Sequence, residues 1–331
     1  MIKKVEAGND NYTHFADFYQ PFLIDECRVK GNFIRLGEAM DIILSRHDYP
    51  DSISQLLAEQ TVLACMLSGN LEEGGSVTMQ AKGSGEGPVN FTVVEIKANG
   101  DMRGYAELKS DAQQKLTTLK AEKDELRLKD LLGEGGYLAI TMTPRDKSQQ
   151  YQGIVSVAGE DLSAALTEYF TQSEQIHVSI KVAVGKVKDM SNGVDNSKWY
   201  ASGMMIQRMP SEGGTSANKV KLNEEEDWNR AEILMKTVTN GELLNPMLPP
   251  QTLLSRLFNE DGVWVYEPKQ LHVNCSCSRE RIEDVLSSFP DDDIEDMKTD
   301  EGIISVNCQF CNKTEVFRQE DITRIRKRAK G

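Results

Sequence analysis

The chain has 331 residues, 39% of them apolar, which is enough for one large core and a smaller companion without disulfide support. Its 38 Lys and Arg against 52 Asp and Glu leave a net charge of −14, which argues against a protein whose main task is gripping phosphate backbones. After Met1-Ile2-Lys3-Lys4 the sequence turns polar with no apolar leader, and no stretch approaches the ~20 apolar residues of a membrane span. A cytoplasmic protein with neither a membrane nor a nucleic-acid partner is expected.

Along the chain, Leu36, Ala39, Met40, Ile43 and Leu44 follow helical spacing. Ser52 with Gln55 has the form of a capping box, opening a second helix through Ile53, Leu57, Ala64 and Leu67 that stops at Gly69. Cys65 lies in that apolar run and reads as a buried, inert thiol, whereas Cys27 sits between Glu26 and Arg28 with no base nominated for it. Gly83-Ser84-Gly85-Glu86-Gly87-Pro88 reads as a turn, because no helix N-terminus follows to bind phosphate. Strands are predicted at Phe91 to Lys97 and Met102 to Glu107 around Asn99-Gly100, then at Tyr137 to Met142 and Tyr151 to Val157. A helix from Asp161 to Phe170, a strand from Ile176 to Val187 and another from Gly203 to Gln207 complete residues 1–215. The expected fold class is α+β, a large N-terminal domain with a mostly antiparallel sheet and helices.

Breakers at Pro210-Ser211-Glu212-Gly213-Gly214-Thr215-Ser216 mark a boundary. Residues 216–271 then read as an amphipathic helical linker. Asn223 stands as an N-cap before the acidic run Glu224 to Asp227, with Trp228, Ala231, Met235 and Val238 at helical spacing. Pro249-Pro250 opens a further helix carrying Leu253, Leu254, Leu257 and Phe258. These segments are too apolar for a solvated tether. Either they pack permanently on the first domain, or they dock partly on the cysteine-bearing module that follows, whose loss of metal would remove their support.

Residues 272–331 form the third part, a small zinc-binding domain. Cys275-Ser276-Cys277 and Cys308-Gln309-Phe310-Cys311 are two close pairs separated by a foldable unit, the pattern that wraps four thiolates around one ion. One Zn2+ satisfies all four in so small a module, with His272 a bystander. Ile303 to Val306 and Thr314 to Phe317 give strands around the CxxC, and Ile282, Val285, Leu286, Ile294 and Met297 give a small core. Four protein ligands leave no position for water, which argues against hydrolysis. An inert structural zinc and a redox switch both fit the spacing.

The residues around those cysteines say more. His272-Val273-Asn274-Cys275-Ser276-Cys277-Ser278-Arg279-Glu280-Arg281, with Asp300-Glu301-Gly302 and Cys308-Gln309-Phe310-Cys311-Asn312, resembles the 33 kDa chaperonin (heat shock protein 33) family of redox-regulated bacterial holdases. Met102-Arg103-Gly104-Tyr105, Tyr151 to Val155, Tyr169 to Gln175, Gly203 to Gln207 with Pro210, and Leu253 to Glu260 extend the resemblance over nearly the whole chain. It implies an ATP-independent chaperone that is inactive when reduced and zinc-bound. Oxidation would pair Cys275 with Cys277 and Cys308 with Cys311, release zinc and loosen the linker, and the active homodimer would bind unfolding proteins. Combined with the linker pattern, Trp228, Met235, Leu253, Leu257 and Phe258 become the expected client-binding surface. Glu315 departs from the family, which usually carries an aromatic residue there.

The scattered histidines, His14, His47, His177 and His272, form no catalytic pattern, and no enzyme is expected. The competing reading is a zinc-ribbon nucleic-acid-binding protein, supported only by Arg324, Arg326, Lys327, Arg328 and Lys330, a run that also suits a helix C-terminus.

Overall fold

A computed structural model describes residues 3–4, 17–146, 149–157, 161–189, 196–210 and 217–329. The chain opens with strands β1 (Lys3–Lys4), β2 (Phe18–Ile24) and β3 (Val29–Leu36), then helices α1 (Glu38–Ser45) and α2 (Asp51–Leu67). Strands β4 (Ser76–Lys82), β5 (Val89–Lys97) and β6 (Asp101–Leu108) follow, then α3 (Ala112–Glu122) and α4 (Leu128–Leu132). Next come β7 (Tyr137–Thr143), β8 (Tyr151–Ser156), α5 (Leu162–Gln172), β9 (Val178–Asp189) and β10 (Asn196–Arg208). Helices α6 (Ala217–Lys236), α7 (Asn240–Leu244) and α8 (Pro250–Phe258) lead to short strands β11 (Val263–Val265), β12 (Lys269–Gln270) and β13 (His272–Val273). The remainder is α9 (Arg279–Ser288), α10 (Asp291–Asp296), β14 (Ile304–Asn307), β15 (Thr314–Phe317) and α11 (Gln319–Ala329).

The fold class is α+β, as the pattern of turns and periods implies. Among the described residues one sheet runs β1-β11-β2-β3-β10-β9, with β12 also on β2, and a second runs β13-β6-β5-β4-β7-β8. All pairings in both are antiparallel except β13 on β6. The Asn99-Gly100 hairpin stands where expected, with Gly100 at φ 94°, a conformation that costs glycine nothing.

Several expectations are corrected. Ser52 caps nothing: α2 starts at Asp51 after Pro50, so Ser52 lies inside the first turn with its hydroxyl buried and unpartnered. Leu36 ends β3 rather than opening a helix. Asn223 is not an N-cap, since α6 is already helical from Ala217, while residues 211–216 of the expected boundary lie outside the described residues. The β2–β3 hairpin carries no strand expectation. Pro21 lies inside β2, where its residue type argues against a strand, and both faces are buried, so the polar alternation that marks a half-exposed strand is absent.

That double burial organises the first unit. Tyr19, Ile34, Leu36, Ala201 and Met205 join a core with α1 and α2, whereas Phe18, Phe22, Ile24, Val29, Phe33, Met204 and Ile206, on the opposite face, join a second core. The linker helices supply the rest of that second core through Trp228, Ala231, Met235, Val238, Leu253, Leu254 and Phe258. Gly31 makes room for it, because the Phe22 ring lies where a Cβ would stand, with its Cζ only 2.2 Å from that position. Two compact units result, Met1–Val273 and Asn274–Gly331.

Candidate metal centre

The second unit is built around a small apolar cluster of Leu286, Ile294, Ile304, Phe317, Ile322 and Ile325. Val285 and Met297, expected in it, are 53% and 39% exposed, because α9 and α10 turn only one narrow face inward. Ser278 caps α9, its hydroxyl accepting from the Arg281 amide at 3.2 Å, which fixes the chain just after Cys277. In the β14–β15 turn the Cys308 amide donates to the Lys313 carbonyl at 2.9 Å and the Asn312 amide to the Cys308 carbonyl at 2.8 Å. Asn312 sits at φ 56°, a left-handed position that asparagine tolerates well.

These two supports bring Cys275, Cys277, Cys308 and Cys311 together, all four sulfurs within 4.8 Å of one another. Sulfurs ~2.3 Å from one tetrahedral ion stand about 3.8 Å apart, so the cluster has the size such an ion requires. Two close approaches cross between the halves, 3.6 Å for Cys275 Sγ to Cys308 Sγ and 3.2 Å for Cys277 Sγ to Cys311 Sγ. Burial, and then the neighbouring sulfurs, push the Cys277 thiol up, and burial pushes Cys311 up as well. Such a donor set becomes four thiolates only around a cation, so the residues fit a thiophilic metal ion. His272 belongs to β13 in the first unit and is not among the four donors.

A ring of charge flanks the sulfurs. Arg279, two residues after Cys277, pairs with Asp321 at 2.9 Å and Glu315 at 3.3 Å and lies over the Phe317 ring at 4.4 Å. Lys313, two residues after Cys311, pairs with the same Glu315 at 2.6 Å. Glu315, the departure from the family pattern, thus links the flanks of both cysteine pairs. Its role has no signal in sequence, because the contact joins α9 to β15. The basic run is engaged too: Arg324 pairs with Glu283 and Asp321, Arg326 with Asp291 and Arg328 with Asp284. Lys330 lies outside the described residues.

The expected client-binding residues are covered. Trp228, Met235, Leu253 and Phe258 are buried in the second core of the first unit and Leu257 packs partly buried against it. Cys65 is fully buried, its thiol pushed up by burial, with Sγ 3.9 Å from Met102 Sδ. Cys27 is buried as well, its sulfur accepting from the Arg230 guanidinium of α6 at 3.4 Å and its thiol pushed up to about 11, chiefly by burial.

With this geometry in view, the comparisons with known proteins agree with one another. The family model described as Hsp33 protein matches residues 17–318. A 33 kDa chaperonin of Escherichia coli O17:K52:H18 is 32% identical over 308 residues, covering 93% of this chain and 94% of the relative. That of Caulobacter vibrioides strain NA1000 / CB15N is 33% identical over 297 residues, covering 90% and 93%. The crystal structure of the Thermotoga maritima 33 kDa chaperonin shares the fold with a TM-score of 0.69 at 21% identity, over 94% of this chain and 98% of that one.

Proposed function

We propose that this chain, which belongs to the Hsp33 family, is an ATP-independent holdase chaperone kept inactive by zinc when reduced and switched on by oxidation. The observation that carries this reading is the gathering of Cys275, Cys277, Cys308 and Cys311 into one closed four-sulfur cluster. Zinc bound there would hold the four sulfurs as thiolates and tie the CxC to the CxxC. Cys275 pairs with Cys277 and Cys308 with Cys311 on oxidation. Each disulfide takes two thiolates and two protons, reduces one peroxide to two waters, and removes two ligands.

The functional division runs 1–215, 216–271 and 272–331. In the reduced state the linker helices lie on the sheet face, which supports a role as its cover. Once the linker loosens, Trp228, Met235, Leu253, Leu257 and Phe258 come free, and so do Phe18, Phe22, Phe33 and Met204 beneath them. Such a contiguous apolar surface binds unfolding proteins. The active form is a homodimer and works in the cytoplasm, with no membrane or nucleic-acid partner and no catalytic turnover. The test is zinc content and light scattering of an aggregating protein, before and after peroxide with mild heat. Zinc loss with suppressed aggregation only after oxidation is expected. Equal suppression before and after, or retained zinc, overturns the reading.

A further inference from the structure

Beneath the linker, one residue of the sheet face does not match its cover. Arg35 lies on β3, in register with Phe18 and Ser202, and is 5% exposed. Its Nη2 donates to the Leu248 carbonyl, in the loop between α7 and α8, at 2.9 Å. The rings of Phe18 and Phe33 lie 5.8 and 5.4 Å from its guanidinium carbon. Its Nε is buried with no acceptor, and among the described residues no carboxylate is its partner. Elsewhere under α8, Gln251 donates to Gln20 Oε1 at 3.1 Å while its own Oε1 is buried and unsatisfied. Burial pulls the Arg35 guanidinium down to about 10 against a smaller opposing pull from Tyr200, the direction expected of a cation denied water.

A guanidinium has five donors, and water would serve all of them. Docking the linker strips that hydration and brings only the Leu248 carbonyl in return, beside the Phe18 and Phe33 rings that the sheet itself supplies, a poor exchange for a full charge. The surrounding apolar contacts hold the linker down in spite of it. We propose that Arg35 is a built-in mismatch that keeps the docked linker close to its release point, so that loss of modest support elsewhere frees the helices. The inference concerns the docked state alone and stands or falls apart from the cysteine chemistry.

The test is amide hydrogen exchange across residues 225–258 in the reduced full-length protein, comparing native, Arg35→Met and Arg35→Lys. Methionine fills similar space without charge or unmet donors. The Met variant should open this segment about tenfold less often than native, with amides of α2 and β5 unchanged, while the Lys variant, still charged, opens at least as often as native. Faster or equal opening in Arg35→Met, failure of that variant to fold, or equal slowing in both variants would each overturn the proposal and make Arg35 a pin instead.

Discussion

Glu59 shows how a single carboxyl can set a pH dependence. It reaches from α2 to the start of α5, accepting from the Ser163 amide at 2.9 Å and the Ser163 hydroxyl at 2.7 Å. Burial outweighs those bonds and pushes its carboxyl from 4.5 up to about 7. The fold therefore prefers the protonated form. Its stabilising contribution is complete below about pH 4.5 and is lost as the pH rises through about 7. Glu59→Gln, which stays neutral and keeps an acceptor for Ser163, should match the native thermal midpoint near pH 4.5 and exceed it above pH 7.5. A native protein that gained on the variant as the pH rose would show that the charged form is the favoured one.

Among elements, α9 and β15 are joined by charge as well as by the apolar cluster. Glu315 lies between Arg279 and Lys313, and the Lys313 ammonium, the leading influence, holds its carboxyl below the usual range. Glu315→Gln should lower the melting point of the second unit by a few degrees at low ionic strength, the gap closing near ~1 M salt, where screening has removed it in the native protein too. An unchanged melting point at low salt would make the ring decorative. How legible such elements were differs by cause. The hairpin at Asn99-Gly100, the strands β7 and β8 and the Pro250 start of α8 announce themselves through local turn and start signals. The four cysteines do so through spacing that only a shared ion explains economically. By contrast, β2 and β3 carry no strand signal because two buried faces erase alternation, and α7, although it has a Thr239–Glu242 capping box, is only five residues long. The cross-paired sulfur contacts and the Arg279–Glu315 bridge were invisible because they depend on how distant segments meet.

At the scale of the whole molecule, the two units differ in what holds them together. The first carries two extensive apolar cores, the second a single small one of six buried side chains. Against that modest core, zinc held by the four thiolates would contribute about 10–16 kcal/mol of apparent folding free energy. Stripping the reduced protein with a strong chelator should abolish amide protection in residues 274–331 while the core strands of the first unit keep theirs. Retained protection in the second unit would mean that its apolar cluster suffices. The doubly covered sheet has a further consequence. Its strands β2, β3 and β10 are braced from behind by α1 and α2 through Tyr19, Ile34, Leu36, Ala201 and Met205, whatever happens in front. Lifting the helices therefore bares a wall that is already plastered on its other side. An arriving chain would meet a stiff, pre-shaped template, and the entropy of ordering the complex would fall on the guest alone.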